Sequence, residues 1–106
     1  MTEETGKRTG GTDDEILRLR MIFSGEVQGV GFRWIARQAA SALGVTGWVE
    51  NEYDGTVLME AQGTREQIER LISTISSSRW VEIHHIDSRS IPPEKHEYTF
   101  RVKDYY

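Results

Sequence analysis

The 106-residue chain contains no cysteine. That excludes disulfides, thiolate-bound metals and a cysteine nucleophile together. No apolar run is long enough to span a bilayer, and the N-terminal segment lacks the apolar core of a signal peptide. A cytoplasmic protein without membrane contact is therefore expected. Basic residues are in the minority, 13 Lys and Arg against 17 Asp and Glu, for a net charge of −4. A nucleic-acid binder normally shows a basic face, and none is expected here. Much of the imbalance lies at the start, where Glu3, Glu4, Asp13, Asp14 and Glu15 face only Lys7 and Arg8. Residues 2–14 carry no hydrophobic side chain and cannot offset the entropy of ordering. The composition predicts a disordered tail over residues 1–14 and one folded domain over 15–106.

Within the domain the hydrophobic period changes several times. Leu17, Leu19, Met21 and Phe23 alternate with Arg18, Arg20 and Ser24, the pattern of a strand with one buried face. Phe32, Ile35, Ala36, Ala39, Ala40 and Leu43 then recur at helical spacing, and Gly44 is placed to end that helix in a left-handed conformation. Val45–Tyr53 and Thr56–Gln62 read as two strands joined at Asp54-Gly55, a strong hairpin signal. Thr64 and Gln67 form a capping box for a second helix bearing Ile68, Leu71, Ile72 and Ile75. Trp80 to Ile91 is strand-like, Pro92-Pro93 breaks it, and Tyr98–Val102 resumes extended structure. The order predicts an α+β, ferredoxin-like βαββαβ sandwich: one antiparallel sheet, two helices on one face and a short extra C-terminal strand. The first and third strands should be central and the second should lie at an edge.

The most informative segment is Gly25-Glu26-Val27-Gln28-Gly29-Val30-Gly31-Phe32-Arg33-Trp34, between the first strand and the first helix. Three glycines allow backbone N–H groups to converge, and a helix N-terminus adds partial positive charge. Arg33 adds a planar fork of donors suited to a phosphate or carboxylate. No Gly-Lys-Ser/Thr closes the loop, so it is not a nucleotide P-loop. Its glycine spacing also fails the dinucleotide fingerprint. A glycine-rich turn with a solvated arginine is the plain structural alternative. Gln28 and Arg33, both polar donors flanking the turn, favour a site.

Asn51 is the second candidate. Asparagine suits strand interiors poorly. It serves either local turn bonding or as a neutral donor and acceptor aimed at a water. The end of its strand could approach the glycine loop, although the sequence alone does not establish that meeting.

The run Gly25-x-Val27-Gln28-Gly29-Val30-x-Phe32-Arg33 resembles the phosphate-binding signature of the acylphosphatase family. Gly47-Trp48-Val49-x-Asn51, followed by Gly55-x-Val57 and Gly63, resembles that family's second signature. The two motifs lie in the right order and spacing, and the resemblance covers the chain from about Leu17 to Val102. One departure is Glu50, where the family more usually has a basic or neutral residue; strand alternation points it away from the face used by Asn51. The resemblance implies a monomeric hydrolase, without metal or other cofactor, that cleaves a small-molecule acyl phosphate to a carboxylate and inorganic phosphate. Arg33 would bind the phosphoryl group and Asn51 would orient the attacking water. Backbone N–H groups of Gln28, Gly29, Val30, Gly31, Phe32 and Arg33 would complete a phosphate-binding loop.

Two other classes compete. One is a catalytically silent module that binds an anion or carbamoyl phosphate. The other is an RNA-binding ferredoxin-like domain, which would display paired aromatics on its central strands. Phe23 is the lone aromatic on the first strand and Thr56–Gln62 has none. His84 and His85 are strand neighbours expected to face opposite sides, and His96 is isolated, so no metal is expected. Trp34, Trp48 and Trp80 are assigned to core or edge packing. Arg18 and Arg20 are assigned to a solvated sheet face.

Overall fold

The computed structural model describes residues 15–103; the predicted tail, residues 1–14, lies outside them. Seven elements follow one another: β1 (Leu17–Glu26), α1 (Phe32–Leu43), β2 (Thr46–Asn51), β3 (Val57–Gly63), α2 (Arg65–Ser76), β4 (Glu82–Ile91) and β5 (Phe100–Lys103). The sheet order is β4-β1-β3-β2-β5. The first four strands pair antiparallel, and β5 joins β2 in parallel. The expected ferredoxin-like sandwich is therefore present, widened at one side. The expectation that β2 is an edge strand is corrected, because Phe100–Lys103 pairs along Gly47–Glu50 and makes β2 interior.

The sheet's two faces have different chemistry. Met21 and Phe23 of β1, Val49 of β2, and Val57, Met59 and Ala61 of β3 are buried with the apolar stripes of both helices. On α1 that stripe is Phe32, Ala36 and Ala40; on α2 it is Ile68, Leu71 and Ile75. These 3- and 4-residue spacings bring one face of each helix onto the sheet. Phe23 and Phe32 meet edge to face with ring centroids 5.0 Å apart. That contact clamps both ends of the glycine loop to the core. The capping box forms as predicted: Thr64 Oγ1 accepts from Gln67 N at 3.2 Å, and Gln67 Oε1 accepts from Thr64 N at 2.8 Å. Gln67 Nε2 also donates to Leu43 O at 2.9 Å, tying the start of α2 to the end of α1.

The opposite face is not simply solvated. Arg18 is only 2 % exposed. Its guanidinium reaches Glu97 Oε1 at 2.7 Å and Glu60 Oε1 at 3.0 Å, under the segment that links β4 to β5. Gln62 holds that segment through both its amide atoms, accepting from Glu94 N and donating to Glu94 O. Burial works against the charged forms of Arg18 and Glu97, but their mutual hydrogen bonds outweigh it. Glu97 is held below its usual range and Arg18 is raised. Arg20 pairs with the other oxygen of Glu60 at 2.6 Å.

Several boundaries differ from expectation. The strand expected from Trp80 begins at Glu82; Trp80 sits in the preceding turn, 66 % exposed, with Arg79 over its ring. Core packing is thus wrong for Trp80. The β2–β3 connection is wider than a two-residue turn, and both strands stop short of it. Asp54 Oδ1 accepts from Thr56 N and Thr56 Oγ1, and Gly55 takes φ 93°. An aspartate that bonds two residues ahead closes such a loop by itself.

Candidate active site

β1 runs two residues further than the alternation suggested and passes a bulge at Ser24/Gly25. A Cβ on Gly25 would strike Glu82 O and lie 2.8 Å from His84 N. Gly25 therefore serves the close approach of β1 and β4, not the anion cradle proposed for all three glycines. Gly29 and Gly31 are different. They line a cavity of about 360 Å³ together with Val27, Phe32, Arg33, Trp34, Arg37, Asn51 and Val102. Gln28 and Val30 are not among the lining residues.

Gly31 is the N-cap of α1, at φ 84°, and no side chain caps that helix. No acidic residue occupies its first turn. In α2, by contrast, Thr64 caps the N-terminus and Glu66 lies in the first turn. The N-terminus of α1 thus presents backbone donors and partial positive charge to the cavity, without an internal carboxylate to neutralise them. A Cβ on Gly29 or Gly31 would meet open space, so their requirement is conformational: both have φ in the left-handed region, 76° and 84°.

Gln28 explains how Asn51 reaches this loop. Its side-chain Nε2 donates to Glu52 O and to Thr56 O, each at 2.8 Å. The glycine loop is thereby pinned to the mouth of the β2–β3 connection, one residue beyond Asn51. Asn51 is the last residue of β2 and has the same strand parity as the buried Val49, so it points to the helix side. Glu50 falls on the other face, as expected from alternation. Its carboxylate neighbours that of Glu52, and this proximity, aided by burial, raises the Glu52 carboxyl above its usual range. The acid that departs from the motif is therefore turned away from the cavity.

Among the described residues the lining has two guanidinium side chains, one carboxamide and no carboxylate. Such a donor set fits an anion, and a single carboxamide oxygen is a poor ligand set for a hard cation. Among the described residues no three His, Asp or Glu side chains gather in one place. Four lining residues, Val27, Trp34, Arg37 and Val102, were not singled out as site residues from sequence. Trp34, assigned to packing, is 62 % exposed at the cavity. Arg37 carried no signal beyond its position one helical turn after Arg33.

Comparison with known proteins agrees with this geometry. The acylphosphatase family model matches residues 19–102. A curated acylphosphatase of Methanospirillum hungatei is 48% identical over 62 residues, covering 58% of this chain and 68% of its own. One from Caldanaerobacter subterraneus is 40% identical over 88 residues, covering 82% of this chain and 92% of its own. Among solved structures, an acylphosphatase from Coxiella burnetii superposes with a TM-score of 0.74 at 31% identity, covering 83% of this chain and 93% of that one. The family match takes in β1 through β5, including both the glycine loop and Asn51, and the chain belongs to the acylphosphatase family.

Proposed function

We propose that the protein is an acylphosphatase whose phosphoryl-binding cradle is the glycine loop and the N-terminus of α1. The observation that carries this reading is one cavity bringing Arg33, Asn51 and an uncapped helix N-terminus together, with no carboxylate among the described lining residues. Curated relatives of similar extent bear the same name, which disfavours a silent binding module.

The chemistry needs little more than these groups. The leaving group of an acyl phosphate is a carboxylate, already stable as an anion. Strong general-acid assistance is unnecessary. The transition state is loose and spreads charge over the phosphoryl oxygens, so positioning and electrostatic stabilisation carry the catalysis. Arg33 binds the phosphoryl group as a planar fork, and backbone N–H groups between Gln28 and Arg33 hold its oxygens. Asn51 orients a water in line with the P–O bond that breaks. A carboxamide is no base, so its part is orientation. The water's proton passes late to the substrate's own phosphoryl oxygen. A flat pH–rate profile across the carboxylate and histidine range is the expected signature. Arginine and helix dipole take the place of a cation, so no metal is required. A monomeric, cytoplasmic enzyme acting on small substrates completes the proposal.

Hydrolysis of benzoyl phosphate in the presence of a chelator tests it. Wild type should turn over, and Arg33→Ala should lose both turnover and phosphate binding. Arg33→Lys should recover little, because a point charge does not reproduce the two-pronged contact. Folded wild type with no turnover would overturn the assignment and leave an anion-binding module.

A further inference from the structure

Trp34 and Arg37 are the exposed side chains of the cavity wall, whereas Val27 and Phe32 are buried at its floor. They therefore form its mouth, the side toward which the acyl part of a substrate must extend once its phosphoryl group is seated at Arg33. Helical spacing stacks Arg37 one turn beyond Arg33, with Trp34 between them on the same surface. Arg37 forms no ion pair among the described residues. The sequence of α1, Phe-Arg-Trp-Ile-Ala-Arg-Gln-Ala-Ala-Ser-Ala-Leu, holds no acid to supply one. Among the described residues the cavity wall holds no carboxylate to pair with Arg37, so its guanidinium is open to an anion that enters the mouth.

From this arrangement we infer that Arg37 is a specificity-determining residue that selects acyl phosphates whose acyl group carries a second anion, a carboxylate or phosphate. This rests on the acyl phosphate reading of the site. Positions i and i+4 of a helix place their Cβ atoms roughly 5–6 Å apart. That is about the distance from the phosphorus of succinyl phosphate to its free carboxylate. Arg33 would hold the phosphoryl group while Arg37 meets the far carboxylate, with the Trp34 ring beside the intervening methylenes. The overall charge of −4 opposes general attraction of a more highly charged substrate. Preference for the extra anion must therefore be local to the mouth.

The test compares succinyl phosphate with butyryl phosphate, equal in chain length and differing by one carboxylate. Wild type should favour succinyl phosphate by about threefold to tenfold in kcat/KM, the range of a partly exposed charge-assisted contact. The gain should appear mainly in KM, because the contact is present before and during reaction. Arg37→Gln should bring the ratio to one or below, and Arg37→Lys should keep part of it. A wild-type ratio of one or less, or a ratio unchanged in Arg37→Gln, overturns the inference. Non-hydrolysable phosphonates separate this from the catalytic reading. Calorimetric titration with 5-phosphonopentanoate and pentylphosphonate should show the same preference and the same loss in Arg37→Gln. If neither acyl phosphate is turned over, the catalytic reading fails. The phosphonate preference then decides second-anion recognition alone: its loss in Arg37→Gln upholds it, and equal affinities overturn it.

Discussion

Replacing Gln28 by alanine should slow catalysis while leaving phosphate binding nearly intact. The side chain touches neither substrate nor cavity; it ties two backbone segments together. Its Nε2 donates two hydrogen bonds of 2.8 Å, to Glu52 O and Thr56 O. Both carbonyls keep a second partner when the glutamine is gone. Glu52 O still accepts from Gly55 N at 3.2 Å, and Thr56 O from Glu52 N at 2.9 Å. No carbonyl is orphaned, so the stability loss should be that of two net hydrogen bonds at the low end, about 1–2 kcal/mol. A urea melt should show this as a lower midpoint at constant slope. The kinetic loss should be larger. Asn51 then sits at the end of a strand whose connection is free to drift from the glycine loop. A misplacement of about 1 Å can cost on the order of 100-fold. We expect kcat on benzoyl phosphate to fall about 10- to 100-fold, with the phosphate inhibition constant within about threefold. Gln28→Glu separates tethering from bulk. Its carboxylate is nearly isosteric but can only accept, and it faces two carbonyl oxygens. It should be at least as slow as the alanine variant at neutral pH and recover part of its rate as falling pH protonates it. A Gln28→Ala enzyme less stable than wild type yet equal in kcat would refute the reasoning, because Asn51 would then be positioned by β2 alone.

Asn51→Ala should lower kcat at least about 100-fold while phosphate inhibition stays within about threefold, as expected for lost water placement; unchanged kcat in steady-state assays would end that role. Glu97 is held below the ordinary carboxylate range by Arg18 and Thr46 despite its burial. A depressed carboxylate stabilises the fold above its unfolded value, about 4.3, and that contribution is lost as pH falls through the folded value. Thermal melts from pH 7 downward should show this acid loss in wild type, and Glu97→Gln should flatten it; equal acid slopes in the two proteins would count against the ion pair. At Gly47, φ is 139° and a Cβ would overlap the Glu60 carbonyl of β3. Gly47→Ala should cost about 3 kcal/mol or more in denaturant unfolding, whereas a loss under about 1 kcal/mol would mean that β2 can shift away from β3.

Local signals were readable where a single element carries its own instructions. The stripe on α1, Gly44 after it and the Thr64–Gln67 box need only neighbours in sequence, and all are present in the fold. The chain pattern also placed Arg33 on the first turn of a helix and turned Glu50 away from Asn51. What sequence did not resolve depends on partners far along the chain. Arg18 looks like any outward strand residue until Glu60 and Glu97 close over it, 42 and 79 residues away. Gln28 was read as a donor to the ligand, yet its partners are carbonyls 24 and 28 residues distant. Gly25 was grouped with Gly29 and Gly31 because spacing alone cannot distinguish a cradle glycine from one that admits a neighbouring strand. The parallel pairing of β5 hides for the same reason: four residues with Phe100 and Val102 alternating could have added to either side of the sheet.

The two helices show how one short domain divides stability from function. They have equal length, 12 residues each, and both bury one apolar stripe on the same sheet face. At α2 the orphan N–H groups are satisfied internally by the Thr64 cap, and Glu66 complements the dipole. Such a terminus has little left to offer a ligand. At α1 neither device is present, and the cap position is a glycine at φ 84°. A bare N-terminus forgoes roughly 0.5–2 kcal/mol of capping stabilisation. The Phe23–Phe32 contact and the Gln28 tether can offset that loss from outside the helix, because they fix the loop without occupying its donors. A serine or aspartate at position 31 would cap the helix from within and place its own oxygen where the phosphoryl group is proposed to sit. Gly31→Asp should therefore bind phosphate much more weakly even if the helix tolerates the substitution. Stability lost at this terminus is what leaves its charge available for binding.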